Sequence, residues 1–294
     1  MTIDIMMPFF GDPKLFREAV DSVLAQNDPD WRLVVVDDHY ADEAPGAWVS
    51  ALPDDRIRYV RNPANLGVAR NFARSLELVE AEYFVMMGCD DLLASPYVAS
   101  MHALIREHGT ADYFQPGVTI IDDVGDQVNP LPDRIKRITR PRTSGTTVLS
   151  GEGLAASLLR GNWTYFPAIC WRTETVRRYG FDPSFAVVVD LALQLRIVCG
   201  GGTLVVAPAP LFRYRRHDQS VSSWAARDGS RFDEERAFFR AQRRVMLDSG
   251  WRRAARVAHL HLSSRLNAAT KVPGALLHAD GARARSFTRH VFAS

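Results

Sequence analysis

The chain has 294 residues, 47% hydrophobic and 24% charged, with a net charge of +2. That is an ordinary globular profile with room for one large α/β domain or two modest ones, and it excludes collagen-like and wholly disordered classes. No apolar run approaches the ~18–20 residues of a membrane span, Met1–Phe10 lacks the basic leader of a signal peptide, and Cys89, Cys170 and Cys199 are an odd set without metal-ligand spacing, expected as reduced thiols of a cytoplasmic protein.

Ile3 to Pro8 reads as a first strand. The stretch "DPKLFREAVDSVLAQ" follows with Leu15, Phe16, Ala19, Val23 and Leu24 at helical spacing, Asp12 as N-cap and Pro13 in the first turn. Trp31 to Val36 is a second strand, and its triple valine marks a central strand covered on both faces. Residues 57–62 form a short third strand. Residues 67–81 form a helix with Ala69, Phe72, Ala73, Leu76 and Val79 on one face. Residues 82–88 are a fourth buried strand. Alternating strands and helices imply right-handed crossovers and a parallel sheet.

Two of these strands run straight into paired carboxylates, Asp37–Asp38 and Asp90–Asp91. Parallel strands bring their carboxyl ends to one edge, where a crevice forms. Like charges gathered in such a crevice make sense if a cation arrives; the plain alternative is a solvated acidic turn.

The second half is less regular. Residues 113–128 suggest an extended hairpin turning near Gly125. Residues 130–147, rich in Pro, Arg, Thr and Gly, read as a loop. "GEGLAASLLRGN" is helical, residues 165–185 hold a strand, a helix and a turn, and residues 187–201 are a helix with Asp190 in its first turn. "TLVVAPAPLFRYRRHDQSVS" runs as strand segments into a polar loop. From about Ala225 amphipathic helices follow. The boundaries expected are 1–110 for a first half of the α/β body, 111–224 for a second half and 225–294 for a basic extension. Residues 1–224 carry 22 Lys+Arg against 28 Asp+Glu, and residues 225–294 carry 14 against 6. The extension therefore either packs on the body or on a second copy of the chain, or holds the protein at an anionic membrane face.

Six motifs in order resemble those of the family 2 glycosyltransferases, inverting nucleotide-sugar enzymes of GT-A fold. They are "MPFFGDPKLFREAVDSVLAQ", "LVVVDDHYAD", "NPANLGVARNFA", "FVMMGCDDLL", "LLRGNWTYFPAICWRTETVRRYGFDPSFAVVVDLALQLR" and "YRRHDQSVS". The resemblance covers roughly residues 1–223. It implies a Rossmann-like α/β fold with a mixed, mostly parallel sheet flanked by helices. It also implies a UDP- or dTDP-sugar donor, a hydroxyl acceptor and Mg²⁺ or Mn²⁺; no nucleic acid is expected. A divalent cation offsets charge developing on the diphosphate leaving group and takes carboxylate plus phosphate oxygens.

By that resemblance Asp91 is the main metal ligand, and Asp90 lies nearer the ribose and shares the metal. Asp38 accepts the pyrimidine N3–H, and backbone groups around Pro8 and Phe9 hold the base. Asn65 and Arg70 fall where the family contacts nucleotide or diphosphate, against a local cap and a salt bridge as their plainer roles. Asp190, six residues before Arg196, is the general base; a helix-dipole charge is its alternative. His217 resembles a histidine that ligates the metal in some members, and Arg213, Arg215 and Arg216 beside it suit phosphate. Trp163 and Trp171 either stack on an acceptor ring or fill the core. Two positions depart from the family pattern: Gly88 replaces the first aspartate of D-x-D, and Val189 replaces the glutamate before Asp190. They support a rival reading, an inactive nucleotide-binding or scaffold protein on the same fold. A dinucleotide oxidoreductase is excluded, since "PFFGDPK" is not a glycine-rich turn.

Overall fold

The computed structural model describes residues 1–182, 184–185, 187–216, 230–277, 287–288 and 290–291. One mixed sheet organises the described residues. Its strands are β1 (Ile3–Phe9), β2 (Trp31–Asp37), β3 (Ile57–Arg61), β4 (Tyr83–Met86), β5 (Leu92–Leu93), β6 (Tyr113–Ile121), β7 (Thr147–Ser150), β8 (Cys170–Arg172) and β9 (Thr203–Arg215). The spatial order is β3-β2-β1-β4-β8-β6-β9-β5, with β7 paired to β9. The half formed by β1 to β4 is parallel throughout. β8 inserts antiparallel between β4 and β6, and β6 and β9 are again parallel. Pro208 and Pro210 lie within β9, and the register with β6 shifts at Gln115–Val118 opposite them. A proline has no N–H for the ladder, so irregular pairing there follows from the sequence.

The period-2 alternation of the central strands divides the core in two. Ile5, Met7, Leu33, Val35 and Val85 face one layer, and Met6, Val34, Val36, Phe84 and Met86 face the other. The first layer is closed by helix α1 (Pro13–Leu24) and α4 (Tyr97–Glu107). Asp12 caps α1, accepting the N–H groups of Lys14 at 2.7 Å and Leu15 at 3.4 Å, with Pro13 at its first position as expected. The second layer is closed by α6 (Gly151–Gly161) and α8 (Val189–Cys199). Shorter helices are α2 (Ala44–Ser50), α3 (Val68–Glu77), α5 (Leu131–Thr139) and α7 (Thr173–Tyr179). The α5 helix corrects the expected loop over 130–147.

The C-terminal extension forms α9 (Ser230–Asp248), α10 (Arg252–Leu260) and α11 (Leu262–Leu277). Phe238, Phe239, Met246, Ala254, Ala255 and Ala258 join the second core layer. Glu152, in the first turn of α6, accepts the backbone N–H groups of Arg253 and Ala254, the latter at 3.1 Å, and so caps α10. The small alanines let α10 lie close on α6. The described part of the extension is thus packed on the body. Among the described residues no helix is long and apolar enough to cross a membrane.

Candidate functional site

The carboxyl ends of β1, β2 and β4 gather the first part of the site. The Asp38 N–H donates to Phe9 O at 2.9 Å, so the end of β2 is tied to the end of β1. His39 then turns the chain with a left-handed φ of 60°. Asp37 is 1% exposed. It accepts the Tyr40 N–H at 2.7 Å and the Tyr59 hydroxyl at 2.5 Å. Burial, then the Asp37 carboxylate, pushes the Tyr59 pKa up.

Asp38 is 3% exposed and binds across the fold. Its Oδ1 accepts Asn62 Nδ2 at 2.9 Å and the Leu66 N–H at 2.8 Å; its Oδ2 accepts the Gly67 N–H at 2.9 Å. Asn62 also donates to Asn71 Oδ1 at 2.9 Å, and Asn71 donates to Val36 O at 3.1 Å. Asp38 therefore holds the segment 62–67 against β2, and Oδ2 keeps acceptor capacity for a further N–H. Asn62 and Asn71 did not stand out in the sequence. Their only mark there is the asparagine density of "NPANLGVARN", which says nothing about a partner on β2.

Pro8 is half-buried and Phe9 fully buried against Phe16, with ring centroids 4.2 Å apart. Phe10 is the ring on this edge that meets solvent, 58% exposed and edge-on to Tyr40. Asn65 is exposed, and its side chain accepts the Gly67 N–H at 3.1 Å. Arg70 is exposed on the first turn of α3.

The second part of the site follows β4. Asp91 is 1% exposed, and its Oδ1 accepts the Arg215 N–H at 2.8 Å. Burial, then the neighbouring Asp90 charge, lifts the Asp91 pKa well above the ordinary carboxylate value. A Cβ built on Gly88 would sit 2.6 Å from Asp91 Oδ2 and 2.8 Å from Asp90 Oδ1. The two carboxylates thus converge on the space a side chain at 88 would fill, which accounts for the glycine. Two hard oxygens meeting at one point fit Mg²⁺ or Mn²⁺ completed by phosphate oxygens. Cys89 adds nothing to such a set: burial, then Asp90, pushes its thiol up to about 12. Among the described residues no group of three or more His, Cys, Asp or Glu could hold a metal. His217 lies outside the described residues.

Arg215 takes a different place from the one expected. Its side chain is wholly buried. Nε donates to Asp90 O at 2.8 Å, Nη1 to Asp122 O and Asp123 O at 2.9 Å each, and Nη2 to Glu18 Oε2 at 2.7 Å. These bonds enclose the guanidinium, which acts as a strut under the Asp90–Asp91 turn rather than as a group facing a diphosphate. Glu18 on α1 anchors the strut, a role its helical position did not suggest. Arg216 is paired with buried Asp133 at 2.9 and 3.0 Å.

The third part surrounds Asp190. It is half-buried in the first turn of α8, and its Oδ2 accepts Asn162 Nδ2 at 3.0 Å. Asn162 ends α6 in a left-handed conformation, φ 37° and ψ 57°, which asparagine tolerates. Thr164 Oγ1 donates to Asn162 Oδ1 at 3.2 Å and accepts Gln194 Nε2 at 2.9 Å. From outside the core domain, Glu234 on α9 accepts the N–H groups of Val187 and Val188 at 2.8 and 3.0 Å. It holds the chain just before Asp190. Val189, in the place of the family glutamate, is 6% exposed.

Trp171 is fully buried and stacks on Tyr113, centroids 5.0 Å apart. Trp163 is 2% exposed and donates to Ser157 Oγ at 3.2 Å. Of the two, only Trp163 borders a cleft, of about 270 Å³ between β6 and α5.

Comparisons with known proteins bear on the family and the fold. Escherichia coli (strain K12) WcaA is 33% identical over 90 residues, covering 30% of this chain and 32% of that protein. An uncharacterised Mycobacterium bovis protein is 25% identical over 233 residues, 77% of this chain and 62% of that one. The chain spans only about a third of the length of WcaA. The Staphylococcus aureus TarS fragment 1–349, solved with UDP-GlcNAc, superposes with a TM-score of 0.67 over 99% of this chain and 90% of that one, at 13% identity. That likeness shows the fold, a GT-A sheet. The glycosyl transferase family 2 model matches residues 4–161, and the chain belongs to that family.

Proposed function

We propose that the protein is a metal-dependent, inverting glycosyltransferase that moves a sugar from a UDP- or dTDP-sugar to a hydroxyl acceptor. The observation that carries this reading is the convergence of the Asp90 and Asp91 carboxylates over Gly88 at the end of β4. Asp91 is buried beside the half-buried Asp90, and a divalent cation with a diphosphate would relieve the repulsion between them. The same space counts against the inactive-scaffold reading, because Gly88 is what lets both carboxylates turn inward.

Asp38 contributes an acceptor at the pyrimidine end, and Phe10 an exposed ring beside it. Asp190 takes the proton of the acceptor hydroxyl as its oxygen attacks the anomeric carbon. The diphosphate leaves from the opposite face, so the anomeric configuration inverts. Asn162 keeps the Asp190 carboxylate oriented, and Glu234 steadies the start of its helix. The UDP-GlcNAc bound to TarS supports a nucleotide-sugar donor.

A thermal-shift panel of nucleotide sugars, with and without Mn²⁺, tests the reading. A ligand of the folded state raises the melting temperature in proportion to the logarithm of its saturation. UDP- or dTDP-sugars should shift it only with the metal present. A purine nucleotide sugar shifting it most would contradict the proposal.

A further inference from the structure

The cleft between β6 and α5 gathers three basic side chains. Lys136, Arg137 and Arg140, all contributed by α5 and its C-cap, line it together with Gln127 and Asn129. Lys136 and Arg140 stand four residues apart, and like charges at that spacing on a helix repel. Asp133 is the one carboxylate in the lining, and it is already taken. Arg216 holds both its oxygens at 2.9 and 3.0 Å, and the Tyr165 hydroxyl donates to Oδ1 at 2.8 Å.

Arg140 is the informative residue. Its guanidinium lies over the Trp163 ring, 5.8 Å from the centroid. Burial draws its pKa down, and the sole influence on it from another ionisable side chain comes from Tyr165. Among the described residues no carboxylate pairs with it. A cation half-removed from water with no counter-ion lowers stability, so a ligand that supplies the charge fits the site. The rigid guanidinium suits phosphate or carboxylate oxygens in a bidentate arrangement.

The cleft also touches the reaction. Trp163 and Tyr165 line it, and Asn162, one residue earlier, donates to Asp190. Lys136 donates to Thr164 O at 2.5 Å, and Thr164 is bonded to Asn162. The segment 162–165 thus has the general base on one side and the basic cleft on the other.

We infer that this cleft is an acceptor subsite for an anionic group, a phosphate ester above all, carried by the molecule whose hydroxyl is glycosylated. The inference rests on the proposed glycosyl transfer, and the test separates the two. The full chain is first saturated with UDP and Mg²⁺, so that the donor site is filled. Glucose 1-phosphate is then titrated calorimetrically at fixed ionic strength, with glucose as the uncharged control. Phosphatidic acid in phosphatidylcholine vesicles forms a second arm, which distinguishes a lipid-borne phosphate from a soluble one.

Binding of either phosphate ester to the UDP-loaded protein, absent for glucose, is expected. Arg140→Gln should weaken it at least tenfold and leave the UDP affinity unchanged. Its melting temperature should be equal to wild type or higher, because an unpaired cation has been removed. Arg140→Lys, which keeps the charge but loses the planar fork, should weaken binding less than Arg140→Gln does, and Arg137→Gln should also fall between wild type and Arg140→Gln. Phosphate binding that is indifferent to Arg140→Gln, or that occurs only by displacing UDP, overturns the subsite. Absence of phosphate binding in both arms while UDP binds overturns it too and leaves the donor reading intact. Failure of UDP itself to bind contradicts the donor reading instead.

Discussion

Asn162 donates to the Oδ2 of Asp190 at 3.0 Å, across the gap between the end of α6 and the start of α8. The bond joins two elements 28 residues apart in the chain and fixes the direction of one carboxylate oxygen. Asn162 adopts a left-handed conformation to make it.

Removing that bond should cost turnover rather than binding. Asn162→Ala is expected to lower kcat by roughly 10–100-fold, the usual effect of misplacing a reacting group. UDP affinity should not change, because Asn162 touches neither carboxylate pair. An unchanged kcat would show that Asp190 needs no such support.

Asp91→Asn should trade function for stability. The folded-state pKa of Asp91 is raised above the ordinary 3.8 by burial, then by Asp90. The folded protein therefore holds that proton more tightly than the unfolded chain. Stability of the metal-free protein is highest below the unfolded value and is lost as pH rises through the raised folded value. At neutral pH Asp91→Asn should stabilise the metal-free protein by about 1 kcal/mol, a rise in Tm of roughly 2–4 °C. It should also abolish metal-dependent UDP binding. Melting curves with and without Mn²⁺ check both halves; a lowered metal-free Tm would contradict the account.

Glu234 ties the C-terminal helices to the start of the Asp190 helix. Its carboxylate accepts the Val187 and Val188 N–H groups just ahead of Asp190. Glu234→Ala should destabilise the fold by about 0.5–2 kcal/mol, as loss of a helix cap does, and should reduce turnover at a temperature where the variant is still folded. Full activity in a folded Glu234→Ala protein would make the extension a passive cover.

Asp38→Ala removes three acceptor contacts, from Asn62, Leu66 and Gly67. It should weaken UDP binding by roughly 1.5–3 kcal/mol, as loss of a charge-assisted hydrogen bond does, and should loosen residues 62–67. Faster amide exchange at Leu66 and Gly67 together with weaker UDP binding is the expected pair of results. Unchanged UDP affinity would place the base elsewhere.

Most elements of the first 86 residues were legible because each signal is local, although the short α2 (Ala44–Ser50) was missed. Three valines announce β2, and Asp12 with Pro13 announces α1. The α5 helix was not legible because its pattern is inverted: Asp133 is its buried side chain, and Leu131, Ile135 and Ile138 face outward. The antiparallel β8 wedged between β4 and β6 depends on pairings far apart in sequence, for which a three-residue strand carries no mark. The site divides in the same way. The carboxylates at strand ends stood out in the chain. Arg215, which looked like a phosphate ligand among its basic neighbours, is a buried strut, because Glu18 and three backbone carbonyls enclose it. Those partners lie more than 90 residues away.

The most direct test of the central claim is turnover of Asp190→Asn beside wild type. UDP release from a panel of UDP- and dTDP-sugars with Mn²⁺ is measured for both, and UDP binding is measured in parallel. The account predicts turnover of at least one such donor by the wild type. In Asp190→Asn it predicts a fall on the order of 10²–10⁴-fold, the worth of a positioned general base, with UDP affinity nearly intact. Wild-type-like turnover in Asp190→Asn would contradict it.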